Sequence, residues 1–370
     1  MSSPQITVLM TVYNGGTYLK SSISSVLRQT FDDFEFLIID DASTDDSLET
    51  MKSFQDERIV IHRNEQNCGQ TKSLNIGLGL AKGKYVARID ADDGSYPEWL
   101  EVLFRFMQFH PECAVVGASV AVMDATGRTK RILRKPTDPA EIQFYFLYDT
   151  PVVHGSVLMR RDIILKCGGY DEAFRFAQDY ELWSALMREG ECILNVSDVL
   201  TVIRHYQDSM CLTNMDRLVV ESATTLKSNS DAMSDSPLSL DEAIHVRHLF
   251  MFPESMTSED FIKAESRFKE QYRRLKPRYA IDSRLLQKQI KKVMAKAYTK
   301  LAIAEVRRGC THKVRELTAL YHTHYGYHPM VRCLHMLSYT HKSLLTRIPV
   351  VYEAWREWTL PRVFRGGNVR

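Results

Sequence analysis

The chain has 370 residues, of which 44% are apolar and 25% are charged, so it can bury a sizeable core and suggests roughly two globular domains. It lacks the roughly 18 consecutive apolar residues of a membrane span and a secretory signal pattern. None of its seven cysteines forms a C-x-x-C pair, which argues for a reducing compartment and against a disulfide framework or zinc site. The net charge of +2 conceals −15 over the first 260 residues and +17 over residues 261–370, so we expect the two halves to face different partners, or each other.

Between residues 6 and 124, short apolar runs alternate with helical patterns. The apolar runs are Ile6–Val12, Phe34–Ile39, Arg58–Ile61, Tyr85–Ile89 and Ala114–Val122. Short apolar runs are typical of buried strands, and regular alternation with helices predicts a mostly parallel sheet that is covered on both faces. The predicted fold class is therefore α/β.

The following segment repeats part of this pattern. A strand is predicted at Gly155–Met159, and a helix is predicted near residues 179–189, where Gly190 fits the position that ends it. Residues 228–241 are rich in Ser and Asp and are interpreted as a linker. The predicted organisation is a first domain over 1–227 and a basic, mostly helical region over 242–370.

Polar clusters follow three of the predicted strands. The first strand ends at Thr11 and is followed by Tyr13, the second ends in Asp40-Asp41, and the fourth ends in Asp90-Ala91-Asp92-Asp93. Ligand sites of open α/β sheets lie at the carboxyl ends of the strands, and carboxylate oxygens suit Mg²⁺ or Mn²⁺ beside a phosphate-bearing substrate. Each cluster is also compatible with an ordinary turn or a helix cap.

Five motifs in this order resemble those of family 2 glycosyltransferases, whose catalytic domain has the GT-A fold. They are Thr11-Val12-Tyr13-Asn14, Asp40 to Asp45, Asn67-Cys68-Gly69 with Asn75-Ile76-Gly77, Asp90 to Asp93, and Gly168 to Glu172 followed by Gln178 to Trp183. The resemblance covers residues from about 5 to about 210. It implies a GT-A sheet with helices on both faces, followed by the helical C-terminal region.

By this resemblance, four residues form the nucleotide pocket. Thr11 and Tyr13 line it, Asp41 binds the base, and Lys72 reaches toward the base or a phosphate. Asp90, the first acid of the D-x-D pair, faces the ribose and the metal ion.

The resemblance also implies the metal ligands and the base. Asp92 would hold Mn²⁺ or Mg²⁺ on the donor diphosphate together with Asp90, and His205 is either a further ligand or a structural residue. Asp179 would be the general base, although this chain has Gln178-Asp179 where the family usually has Glu-Asp. A carboxylate opposite the leaving group can take the proton of the acceptor hydroxyl. The alternative role of Asp179 is that of a helix cap. For His154 two roles are left open, lining the acceptor side of the site or packing in the core.

The C-terminal region combines basic and apolar residues. Residues 284–308 and 342–365 contain both, and the second segment includes Trp355 and Trp358. Such segments suit an anionic membrane surface, and a positive face docked on the acidic first domain is the alternative. Nucleic acid is not expected as a partner, because no recognition motif is present.

The sequence therefore predicts an inverting glycosyltransferase. A nucleotide-sugar donor, expected to be a UDP-sugar, would transfer a hexosyl or N-acetylhexosaminyl group to a hydroxyl of a glycan or lipid-linked acceptor. The implied setting is bacterial surface polysaccharide or glycolipid assembly, in the cytoplasm or at the inner face of the cytoplasmic membrane. A nucleotidyltransferase is an alternative, but Asn14-Gly15-Gly16-Thr17 lacks the basic charge of its phosphate loop. A non-catalytic nucleotide-sugar-binding protein is the other alternative, although such a protein would tend to lack the base or the D-x-D acids, and both are present.

Overall fold

The computed structural model describes residues 3–124, 126–204, 214–308 and 310–338. The chain divides into two compact units, Met1–Thr225 and Leu226–Arg370. The N-terminal unit is built on one sheet, and the C-terminal unit is helical. Among the described helices, none combines the length and the apolar character needed to cross a membrane.

In the described part of the N-terminal unit, the sheet has nine strands in the order β3-β2-β1-β4-β8-β6-β9-β5, and β7 pairs with β6. The strands are β1 (Ile6–Val12), β2 (Phe34–Asp40), β3 (Ile59–Arg63), β4 (Tyr85–Arg88), β5 (Gly94–Ser95), β6 (Cys113–Met123), β7 (Thr129–Leu133), β8 (Val157–Arg160) and β9 (Cys192–Arg204). The predicted α/β class is confirmed.

The five strands predicted between residues 6 and 124 run in the same direction, as expected, but the sheet as a whole is mixed. Strands β3, β2, β1 and β4 are parallel, and β6 is parallel to β9. Strand β8 runs antiparallel to both β4 and β6, and β5 and β7 are also antiparallel to their neighbours. The apolar pattern of a buried strand does not encode its direction, which explains why the sequence could not reveal this mixed arrangement.

Among the residues described up to position 204, seven segments are α-helices. They are α1 (Leu19–Leu27), α2 (Ser47–Lys52), α3 (Gln70–Leu80), α4 (Trp99–Phe109), α5 (Pro139–Tyr145), α6 (Arg161–Lys166) and α7 (Gln178–Glu189). As expected, α7 ends at Gly190, whose φ of 89° lies in the left-handed region that glycine tolerates.

The core of this unit joins the sheet to the helices. Val8 is in register with both Phe36 and Ala87, and all three are fully buried. Ile23 of α1 and Trp99 of α4 belong to the same apolar cluster. Burial of each large side chain contributes about 1.5–3 kcal/mol, so this layer holds the strand ends rigidly in place.

The predicted linker at 228–241 begins inside a helix. Helix α8 (Met215–Met233) continues through the Ser-rich segment, in which Asn229 and Ser230 are fully buried. The Ser230 hydroxyl accepts a hydrogen bond from the Leu238 N–H at 2.9 Å. The polar composition therefore serves buried hydrogen bonds, and the connection to the next helix is shorter than predicted.

The C-terminal unit continues, as far as residue 338, with five described α-helices. They are α9 (Leu240–Met251), α10 (Ser258–Arg273), α11 (Ser283–Arg307), α12 (Thr311–Tyr325) and α13 (Pro329–Leu337). Ile290, Ala297 and Leu301 on α11 are buried in this unit, so that apolar face is not available to a bilayer. The other predicted membrane segment, 342–365 with Trp355 and Trp358, lies outside the described residues.

Candidate active site

The turns after β1 and β2 are tied together. The Asp41 N–H donates to the Val12 carbonyl at 2.7 Å, and the Thr44 N–H donates to Asn14 Oδ1 at 2.9 Å. Asn14 itself has a φ of 51°, in the left-handed region that Asn tolerates better than most residues. These contacts hold Thr11 at the end of β1 and the half-exposed Tyr13 close to Asp41.

Asp41 is buried and accepts hydrogen bonds on both carboxylate oxygens. Oδ1 accepts from Asn64 Nδ2 at 2.8 Å and from the Cys68 N–H at 2.9 Å, and Oδ2 accepts from the Gly69 N–H at 2.8 Å. Burial opposes ionisation, but these donors together lower the pKa of Asp41. Burial raises the pKa of the Cys68 thiol, and the charge of the exposed Lys72, on the first turn of α3, partly offsets this. Asp41 therefore organises the turn that carries Lys72 toward this edge.

Arg88 is the charged centre of the site. Its side chain is 3% exposed at the end of β4, and both terminal nitrogens bond the two carboxylate oxygens of Asp90. Bidentate pairs of this kind are strong and directional. Sequence reasoning placed Arg88 in a strand and missed this role. A charge within an apolar run was the available signal.

The remaining acids of this segment differ in burial. Asp93 is 4% exposed, and its Oδ1 accepts the Arg204 N–H at 2.9 Å. Burial, followed by the charges of Asp90 and Asp92, raises the pKa of Asp93 well above its ordinary value. Asp92 is more accessible, and its carbonyl accepts from the Arg204 guanidinium.

The acids after β4 fit a divalent cation by their chemistry. Within the residues that the structure describes, no three His, Cys, Asp or Glu side chains form a metal-binding group. Mg²⁺ and similar ions, however, are usually held by one or two carboxylates together with substrate phosphates and water. After burial, the negative charges of Asp90 and Asp92 help to raise the pKa of Asp93. A bound cation would neutralise this concentration of negative charge. Arg88 already pairs with both carboxylate oxygens of Asp90.

Asp179 lies at the start of α7 and is partly accessible. Its Oδ1 accepts the Tyr180 N–H at 2.7 Å. Desolvation raises its pKa, aided by the charge of Asp149, whereas the Tyr180 N–H, Arg88 and Lys135 oppose the increase. The net effect is a pKa above that of an ordinary aspartate, which moves it toward the range useful for a general base at neutral pH. The positive charge of Arg88 thus acts on both Asp90 and Asp179.

Two glutamines connect α7 to Asp90. Gln178 Nε2 donates to Gln70 Oε1 at 3.0 Å, and Gln70 Nε2 donates to Asp90 Oδ1 at 3.3 Å. Gln178 is 6% exposed, so a charged Glu at this position would be buried beside Asp179. Gln178, which stands where the family usually has Glu, therefore connects Asp179 to Asp90 through uncharged side chains.

His154 belongs to the wall of the site. Its Nε2 lies 2.7 Å from the Tyr170 hydroxyl, and its ring meets the edge of Trp183 at 5.9 Å. Burial, and then the Arg88 charge, lowers the pKa of His154 well below its ordinary value, so it is neutral at pH 7. The neighbouring Gly155 lies close to the acids, because a Cβ there would be 3.3 Å from Asp93 Oδ2 and 3.4 Å from Asp90 Oδ2.

The loop before Asp179 is held by a residue that sequence reasoning did not find. Glu221 on α8 accepts three consecutive backbone N–H groups, from Arg175 at 3.0 Å, Phe176 at 2.7 Å and Ala177 at 3.0 Å. No local pattern indicates this contact, because the partners are more than 40 residues apart in the chain. The remaining candidate, His205, lies outside the described residues.

The sequence profile named Glycosyl transferase family 2 matches residues 7–168. The chain is 34% identical over 214 residues to the putative glycosyltransferase EpsE of Bacillus subtilis, which covers 56% of this chain and 76% of EpsE. It is 31% identical over 205 residues to the amylovoran biosynthesis glycosyltransferase AmsE of Erwinia amylovora, covering 54% of this chain and 76% of AmsE. The chain belongs to glycosyltransferase family 2.

A third relative is an uncharacterized glycosyltransferase of Haemophilus influenzae. It is 30% identical over 212 residues, which cover 54% of this chain and 65% of the relative. The chain thus spans somewhat less than two thirds of that protein. In all three relatives the matched segment is a little more than half of this chain.

Solved structures show the same fold. S. aureus TarS 1-349 in complex with UDP-GlcNAc aligns with a TM-score of 0.53 at 15% identity, over 94% of this chain and 92% of TarS 1-349. The mannosyltransferase PcManGT of Pyrobaculum calidifontis, in complex with GDP-Man and Mn²⁺, aligns with a TM-score of 0.50 at 15% identity, over 81% and 88% of the two chains. The GT-A prediction for the sheet region is confirmed.

Proposed function

We propose that this protein transfers a sugar from a nucleotide-sugar donor to a hydroxyl group of a glycan or lipid-linked acceptor, with inversion at the anomeric carbon. The observation that carries the proposal is the position of Arg88, which pairs with Asp90 and influences the ionisation of Asp179. Asp90 on the donor side and Asp179 on the acceptor side are thereby linked electrostatically through the buried Arg88. Family membership and the order of the motifs support the same reaction.

Each acid has a separate part in the proposed reaction. Asp179 accepts the proton of the acceptor hydroxyl while that oxygen attacks the anomeric carbon. The bond from this carbon to the donor phosphate breaks, and the nucleoside diphosphate leaves with the electron pair. One carboxylate base implies a single in-line displacement, and so inversion. A divalent cation, when bound by Asp92 and Asp90, would stabilise the charge of the leaving diphosphate.

The nucleotide pocket is proposed at the joined turns after β1 and β2. Tyr13 is half exposed there and offers a ring for the base, beside Thr11 and the ionised Asp41. Asp41 already accepts protein hydrogen bonds, so it would bind the base with its remaining acceptor capacity or after a small rearrangement. A UDP-sugar is the proposed donor, because the TarS structure of the same fold contains UDP-GlcNAc.

The proposed acceptor is a growing surface glycan, free or lipid-linked. Support comes from the relative AmsE, named for amylovoran biosynthesis. We further propose that the protein acts in the cytoplasm or at the inner face of the cytoplasmic membrane. Membrane contact would rest on segment 342–365 with Trp355 and Trp358, and sedimentation with anionic vesicles tests it.

The central experiment screens nucleotide sugars for diphosphate release with Mn²⁺ or Mg²⁺ present, with and without EDTA. We expect one donor class to be consumed, and Asp92→Asn to abolish this activity. Asp198→Asn, an exposed acid on β9, is the matched control and should remain active. Full activity of the wild type in metal-free buffer would contradict the D-x-D assignment. NMR coupling constants of the product distinguish inversion from retention.

A further inference from the structure

The C-terminal unit contains a basic cleft of about 1240 Å³, formed by α10, α11 and the end of α12. We define this basic cleft by five cationic residues that line it. They are Lys269, Arg273, Arg284, Lys288 and Lys291. Its volume exceeds the 300–1,000 Å³ that is typical of small-ligand pockets. Its size therefore fits an extended ligand.

Glu265, the acid among the described residues that line the basic cleft, is already neutralised. Glu265 is 1% exposed and pairs with Lys269 Nζ at 2.6 Å. The hydroxyl of Tyr298 donates to Glu265 Oε2 at 2.5 Å, and Tyr325 donates to Oε1. Glu265 thus has little capacity left for the other cations of the cleft.

For the other four cations, Arg273, Arg284, Lys288 and Lys291, no carboxylate of the described residues lies within 4 Å of the side-chain nitrogens. Some cations elsewhere in this unit are paired, as Arg267 is with Glu242 at 2.6 Å. An unpaired cationic group that shares a concave surface with several others is a common feature of anion sites.

The cations are spread along the cleft. Arg284, Lys288 and Lys291 are at i, i+4 and i+7 on α11, so they share one face of the helix. Seven residues of helix place the backbone ends of these side chains about 10 Å apart, so the three cations can serve more than one phosphate group. Apolar and aromatic side chains, including Ile262, Ile281 and Tyr272, also line the cleft and suit the carbon atoms between charges.

We propose that the basic cleft binds a soluble chain that carries phosphate groups at intervals. Lys288 and Lys291 would contact successive phosphates as point charges, and the two arginines would bind phosphate oxygens bidentately. A flat bilayer is a poorer fit, because the cations surround a concavity. This inference extends beyond the proposed transfer reaction and depends on none of its catalytic residues.

The test measures binding of inorganic polyphosphate to the full chain at low salt, by isothermal titration calorimetry. We expect binding that weakens steeply with salt, and a loss of roughly tenfold or more in affinity for Lys288→Glu/Lys291→Glu. The matched control is Arg307→Glu/Arg332→Glu, which makes the same charge change at exposed positions outside the cleft. It should change the affinity less than about twofold.

Two further measurements keep the result clear. Lys288→Gln/Lys291→Gln removes the two charges without reversing them and serves if the charge reversal impairs folding, as judged by thermal melting. Hydrogen exchange should show polyphosphate protecting residues 283–291 and leaving Asp90 to Asp93 unchanged. Absence of binding, equal losses in the cleft and control variants, or protection at Asp90 to Asp93 alone would overturn the proposal. So would anionic vesicles that bind through Lys288 and Lys291 while polyphosphate does not.

Discussion

Asp179 in the N-terminal unit and Glu265 in the C-terminal unit are both acids on helices, but their surroundings are opposite. Glu265 is 1% exposed and is satisfied by Lys269 and two tyrosine hydroxyls. Asp179 is partly accessible, accepts the adjacent Tyr180 N–H, and has a raised pKa. An acid with all its partners in place stabilises the fold, whereas one that is desolvated but incompletely satisfied can exchange a proton.

The largest expected difference between these acids is in turnover. Asp179→Asn should lower kcat by about 10²–10⁴-fold, because the amide cannot accept the acceptor proton. Donor affinity should change little, since the nucleotide pocket lies at other residues. Steady-state kinetics and titration with UDP measure the two effects separately. A kcat close to that of the wild type would move the base to another residue.

The pH profile sharpens the same contrast. Asp179 must be ionised to act as a base, so kcat should fall as the pH falls through its pKa. Because desolvation raises that pKa, the acidic limb should lie above the range of an ordinary aspartate. In Asp179→Asn the residual rate should lose this limb. An acidic limb that is identical in the variant would show that another group controls it.

Stability should respond in the opposite sense. Glu265→Gln removes the negative partner of Lys269 from a buried pair, and we expect unfolding to become easier by about 3 kcal/mol, the lower end for breaking such a pair. Asp179→Asn should instead stabilise the protein at neutral pH. The pKa of Asp179 is higher in the folded protein than in the unfolded chain, so its ionisation lowers the free energy of unfolding as the pH rises through these values. Thermal melting of both variants at neutral pH makes the comparison, and stabilisation by Glu265→Gln would contradict it.

The sequence predicted the parts of the site that follow strands. Asp41, Asp90 and Asp92 stand directly after apolar runs, and parallel strands bring their carboxyl ends to one edge. Arg88 was missed because its partner depends on the exact turn after β4. Glu221 was missed because its contacts come from a distant helix. The apolar pattern also did not reveal the direction of β8, since burial on both faces looks the same either way.

The C-terminal unit was less predictable for a different reason. Residues 284–308 combine basic and apolar side chains, and the sequence suggested a membrane surface. In the structure, Ile290 and Leu301 are buried, while Arg284 and Lys288 line the basic cleft. An amphipathic pattern shows that one face is covered, but it does not identify what covers it.

The smallest predicted effect concerns Glu221, a third acid, which acts by position. It accepts the N–H groups of residues 175–177, which lead directly into Asp179. Hydrogen bonds to a charged acceptor contribute about 1.5–3 kcal/mol, so Glu221→Ala should loosen this loop and lower kcat by roughly tenfold through misplacement of Asp179. Glu221→Gln keeps an acceptor oxygen and should recover most of the rate.

The pH profile separates this positioning role from a purely structural one. A loosened loop should admit water to Asp179, reduce its desolvation and move the acidic limb of kcat to lower pH in Glu221→Ala. Donor affinity should stay near that of the wild type, since the residues proposed for the nucleotide lie on other loops. A uniform loss of folded protein would instead reduce the apparent kcat without moving the limb. An unshifted limb in Glu221→Ala, with kcat per folded molecule unchanged, would show that Glu221 stabilises the loop without setting the position of the base.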